Sequence, residues 1–174
     1  NSTKLVILHD FIQEYRKVAS IYLDYLWEHG INFIHHKQEK TVHFSFDHKI
    51  NLNCPSQLST VELDQNLKLE TTLTARARKC CITQVLGIIR GTIEKQRKRQ
   101  YVANQKRAQR KKVPRKLRKA LRHFKPVKPD ISKLNPELNS VCFEFKEDSR
   151  HFNGWLKFHS FTNQERSKTI KLPI

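Results

Sequence analysis

Methionine is absent from this chain, and glycine is nearly so, with 4 in 174 residues. With no Met and with Asn1 leading, a residue before which an initiator Met is not normally trimmed, the expectation is a piece of a longer protein. So few glycines leave no Gly-rich loop to cradle a nucleotide phosphate. The 4 cysteines, Cys54, Cys80, Cys81 and Cys142, include no CxxC pair, so free thiols of a reducing compartment are expected. No run of about 18 apolar residues exists to span a membrane. Lys4 precedes an apolar stretch, but Asp10, Glu14 and Asp24 interrupt it at helical spacing, so these residues are not expected to be a signal peptide. An intracellular protein with no membrane partner is the expectation.

Acid is missing where base is richest. Lys95 to Lys128 reads KQRKRQYVANQKRAQRKKVPRKLRKALRHFKPVK, with 16 Lys or Arg and no Asp or Glu. The chain has 34 basic and 16 acidic residues, so the remainder carries 18 against 16, a net of +2. The formal charge of +18 therefore belongs to one segment set in a near-neutral protein. Sixteen uncompensated cations repel one another, and a polyanion relieves that repulsion by releasing its condensed counterions. A solvated tail or a localisation signal is the blander alternative. Tyr101, Val102 and Ala103 set within a helical pattern favour an ordered element.

The apolar residues give the frame. Leu8, Phe11, Ile12, Tyr15, Val18, Ala19, Tyr22, Tyr25 and Leu26 fall on one arc of a helix over 5–27. Phe33-Ile34 and Val42 to Phe46 have strand character, and LNCPSQLSTVEL reads as loop passing into a short helix. A second long helix is expected from about Leu69 to Lys112, with Leu73, Ala77, Cys80, Cys81, Val85, Ile88 and Ile89 on its apolar arc. Arg78 breaks that arc and would have to snorkel. Pro114 marks a break, and a short helix over 115–124 follows. Beyond Pro136, SVCFEF, WLKFHSF and KTIKLPI alternate as two or three antiparallel strands with one buried face. The expected fold is α+β: a helical domain over 1–136, holding the basic segment 95–128, then a β segment over 137–174.

Candidate site residues follow from charge and face. Arg76, Lys79 and Arg90 line up on the polar side of the second helix, with Thr83 and Gly87 between them; phosphate contact and an ordinary solvated face are equal readings. In the basic segment the candidates for phosphate contact are Arg97, Lys98 and Arg99, then Lys106, Arg107, Arg110, Lys111 and Lys112. Beyond the proline break they are Arg115, Lys116, Arg118, Lys119 and Arg122. His35, His36, His43 and His48 with Cys54 fit no compact tetrahedral metal set. Trp27, Trp155 or Phe158 could stack on bases, although such aromatics beside apolar periodicity are more often core. Acidic residues are scattered, not clustered as Mg²⁺-dependent nuclease chemistry needs. No catalytic residue, metal ligand or cofactor is assigned in this stretch.

The order of parts resembles a known family. LHDFIQEYRKVASIYLDYLWEHG, then LTARARKCCITQVLGIIRGTIEKQRKR, then a basic helical hairpin, then PELNSVCFEF, FNGWLKFHSF and KTIKLPI, looks like the N-terminal portion of the TnpB (OrfB) transposon-encoded RNA-guided nucleases and their type V CRISPR effector relatives. That resemblance covers essentially the whole chain. It implies a helical recognition domain inserted in a small β-barrel wedge domain, with a guide RNA and DNA as partners in a prokaryotic cytoplasm. It also implies a RuvC nuclease domain beyond Ile174, whose Asp-containing strand is not in this sequence, and Mg²⁺ only where that domain is present. The function expected is guide-RNA and target-DNA binding, non-catalytic in these residues, with base pairing reading the sequence. A structural RNA-binding protein of a ribonucleoprotein such as a ribosome is the main alternative. A DNA-binding regulator is weaker, for want of a short helix-turn-helix.

Overall fold

The computed structural model describes residues 2–29, 31–36, 41–46, 60–121, 126–147, 154–159, 162–163 and 169–173. Within them the fold is α+β, long helices with a three-stranded antiparallel sheet. The first helix, α1 (Ser2–His29), begins before the apolar pattern does and buries the arc the pattern marks: Phe11, Tyr15, Val18, Ala19, Tyr22 and Leu26. Leu23, off that arc in the sequence, is buried as well. A two-stranded antiparallel pair follows, β1 (Ile31–His36) with β2 (Thr41–Phe46), in a register that sets Ile31 against Phe46. Next comes α2 (Thr60–Leu67).

The second long helix, α3, runs Ala75–Ala108, not from Leu69 to Lys112. Its start is later because Leu73, though fully buried, bridges to Thr162 as extended chain. Thr74 then caps the helix, its hydroxyl accepting from the Ala77 N–H at 3.2 Å. Its end is earlier because Arg110 turns left-handed, at φ 54. The Lys111 N–H reaches the Lys106 carbonyl at 2.8 Å and the Arg110 N–H reaches Arg107 at 3.0 Å, a Schellman turn. Lys68, at φ 46, closes α2 in the same way. Both positions normally belong to glycine, and a side chain there costs about 1 kcal/mol. The last helix, α4 (Arg115–Ala120), starts after Pro114 and is shorter than its pattern; 122–125 lie outside the described residues.

A 3₁₀ turn (Ser140–Cys142) leads into β3 (Phe143–Glu147), β4 (Gly154–His159) and β5 (Thr169–Pro173), in that spatial order. The expected buried face is only part-covered. Cys142, in the turn, and Ile170 are buried, but Phe143 and Phe145 stay 36% and 52% exposed. Both sit on β3, which ends the sheet and pairs on one side only among the described residues. Gly154 is buried beneath the Phe145 ring, where an added Cβ would sit 2.6 Å from the ring carbons. Among the described residues no helix is long and apolar enough to cross a membrane.

The chain divides into two compact units. The first takes 1–22, 58–85 and 131–174; the second takes 23–57 and 86–130. In the first, buried polar groups are tied across elements. The Tyr15 hydroxyl donates to Gln84 Oε1 at 2.9 Å, and Gln84 Nε2 donates to the Asn135 carbonyl at 2.9 Å. Arg16 Nε donates to the Leu134 carbonyl at 2.8 Å, so α1 and α3 together hold the chain that enters the sheet. Asp64 on α2 accepts from the Tyr22 hydroxyl at 2.5 Å and pairs with Arg78 Nε at 2.7 Å. Arg78 therefore does not snorkel to water; it is held by Asp64 and by the Leu73 carbonyl, 2.7 Å from Nη1.

In the second unit, Leu86, Ile89, Ile93, Gln96 and Ala103 are buried at steps of three, four, three and seven. This is a heptad-like stripe, and it continues into the basic segment with glutamines where an apolar residue is usual. Gln96 Nε2 donates to the Ala120 carbonyl at 3.4 Å, which ties the end of α4 to α3.

Candidate nucleic-acid interface

The basic segment is an ordered helical hairpin over most of its length. The last 14 residues of α3 extend for about 20 Å at 1.5 Å per residue. A turn at Gln109 to Val113 and the single-turn α4 complete it. The inward side is held by Gln96, Ala103 and Val113, all buried. The outward side is almost wholly cationic. Arg97, Lys98, Arg107, Arg110, Lys111 and Lys112 are exposed, as are Arg115, Lys116, Arg118 and Lys119 on α4. Arg99 and Lys106 are half-buried, and Arg122 lies outside the described residues.

These charges have little to neutralise them. Among the described residues, the carboxylates at ion-pair distance from the segment are Glu94, 2.7 Å from Arg97, and Asp24, 2.6 Å from Lys128. The bond to Asp24 is what holds the exposed Lys128 ammonium above its usual pKa. Lys106 and Arg107 in the last turn of α3 suit the negative end of its dipole. Arg115 and Lys116 do not: they occupy the first turn of α4, which has no acidic residue, where a cation opposes the dipole. Their charge there adds nothing to the stability of the helix.

The stripe read on α3 is exposed as expected: Arg76, Lys79, Thr83, Gly87 and Arg90 all face solvent. Arg76 and Lys79 belong to the first unit and Arg90 to the second. An added Cβ at Gly87 or Gly91 would meet nothing within 4 Å, so both leave open backbone beside Arg90.

Among the described residues no group of three His, Cys, Asp or Glu is placed to hold a metal. The side chains of His35, His36 and His43, and all of His48 and Cys54, lie outside the described residues. Cys81 and Cys142 are buried free thiols. Burial pushes Cys81 up to about 12, and burial with the neighbouring Cys80 pushes Cys142 up to about 11, so both are protonated and unreactive at neutral pH.

Cations on the sheet went unmarked in the sequence. Lys146, Lys157 and Lys171 each sit in a strand pattern whose polar positions look like ordinary solvated faces. Only the cross-strand register brings them together. No family model matches the chain, and no protein of curated function and no solved structure matches it.

Proposed function

We propose that the chain binds nucleic acid, with the Lys95–Lys128 hairpin lying against the phosphate backbone. The observation that carries this is an ordered cationic surface whose charges, Arg97 and Lys128 apart, face no carboxylate among the described residues. Phosphate contacts of this kind fix position and carry little sequence information. Recognition of a particular site then has to come from elsewhere, and base pairing with a guide RNA is one such source. The succession of core helix, cationic hairpin and antiparallel strands supports the finer reading: the guide-RNA and target-DNA-binding part of a TnpB-like RNA-guided nuclease.

The test replaces Arg110, Lys111, Lys112, Arg115 and Lys116 by Gln and follows affinity for a structured RNA, an RNA–DNA hybrid and duplex DNA against salt. Loss of five phosphate contacts reduces the slope of log K on log salt by about 3 to 5. An unchanged slope removes the hairpin from the interface. Equal affinity for all three polymers keeps the phosphate role and removes the guide.

A further inference from the structure

We propose that the polar face of the β3–β4–β5 sheet is a second nucleic-acid site, one that takes an unpaired nucleotide. Trp155 stacks on the base, and Lys146, Lys157 and Lys171 hold the flanking phosphates. This rests on the nucleic-acid reading above but uses none of the hairpin residues.

The register builds the site. Glu144 stands opposite Lys157, and Lys157 stands opposite Lys171, so one row crosses all three strands. The next row on the same face sets Lys146 against Trp155. Side chains alternate across a strand, so these residues share the face opposite Phe145, Leu156 and Ile170. Together Lys146, Trp155, Lys157 and Lys171 line a cleft of about 430 Å³, within the range of small-ligand sites. Lysine stems and an indole ring make its wall largely hydrocarbon, with ammonium groups at the rim. A purely anionic ligand needs no such wall, and an apolar one needs no such rim. A nucleotide uses both.

Among the described residues, Glu144 is the carboxylate at ion-pair distance from lysines of this face. Glu144 lies 3.8 Å from Lys146 and 3.5 Å from Lys157, with Lys146 63% and Glu144 45% exposed. Exposed pairs of this kind are weak, so a phosphate displaces Glu144 at little cost. An indole on a sheet face with cations beside it is the arrangement by which single strands are held without reading their sequence.

The experiment uses the full chain carrying Trp27→Phe. Because the chain has 2 tryptophans, Trp155 is then the sole indole emitter. Titration with hexauridylate and with hexathymidylate gives saturable quenching; quenching by either upholds the site, and their ratio shows whether RNA or DNA is preferred. Trp155→Leu, read by anisotropy of the labelled hexamer, binds about 5- to 150-fold more weakly, and Glu144→Gln binds more tightly. Quenching persists when the five hairpin cations are Gln, which separates the two sites. If the hexamer binds without quenching, the sheet site is overturned and the hairpin reading stands. If polyglutamate or a blunt duplex quenches as strongly, stacking is overturned in favour of a simple anion patch. If hairpin substitution leaves the salt slope intact while quenching survives, the hairpin reading alone falls.

Discussion

Asp64 and Lys116 show how differently the two units handle charge. Asp64 is bonded to Tyr22 and Arg78, and the side chains of its ion pair are only 15% and 20% exposed. Lys116 is exposed at the wrong end of a helix dipole, and no carboxylate among the described residues faces it. Asp64 closes a core in the first unit; Lys116 pairs with no carboxylate among the described residues and opposes the dipole of its own helix. Under the proposed function, fold and binding are carried by different charged residues, and substitution can separate them.

The sharpest break in that comparison is Asp64→Ala. It strands the half-buried Arg78 and frees the Tyr22 hydroxyl, and the expected loss is about 3 kcal/mol in denaturant titration. Lys116→Gln in parallel changes stability by less than about 0.5 kcal/mol. Equal losses would erase the contrast.

Alkaline pH tests the first unit's core with no mutation. Cys81 and Cys142 are pushed up by burial to about 12 and about 11, from 9.0. Burial also raises Tyr15 and Tyr22 from 10.0, with the Asp64 carboxylate adding to the second. An acid held protonated in the fold ionises more readily once unfolded. Stability is therefore intact below about pH 8 and falls as pH climbs towards 12, by about 3 kcal/mol at pH 10. A urea midpoint that is flat from pH 8 to 10 would contradict that burial.

The smallest effect lies in the second unit. Gln100 Nε2 is buried without a hydrogen-bond partner among the described residues. Gln100→Leu removes that stranded donor and raises stability by about 1 kcal/mol. A lowered melting temperature would show that the amide is needed there.

What could be read in advance divides along physical lines. The buried face of α1 was legible because 28 residues without Gly or Pro repeat a single period. The exposed stripe from Arg76 to Arg90 was legible from the same helical period, despite Gly87 within it. The start of α3 was not, because Leu73 is apolar and buried whether its backbone is helix or bridge, and its partner Thr162 lies 89 residues on. Arg78 looked like a misfit because Asp64, which satisfies it, sits on another helix. Gln96 looked like one more polar residue among cations, yet it is 2% exposed. The hairpin cations were legible through composition alone, since a deficit of acid over 34 residues needs no partner to be seen. The cluster on the sheet was not, because register is a relation between strands that no single strand encodes.

The threading of the first unit also sets an order of events at the ribosome. Tyr15 is synthesised 122 residues before Glu137, whose carbonyl accepts from its hydroxyl at 3.3 Å. At 5–20 residues per second that interval is about 6–24 s. During it the nascent α1 waits with one flank uncovered, while the polycationic stretch has already been made. The stretch from Leu134 to Glu137 therefore acts as a clasp, and the birth of this protein is staged: limb first, latch last.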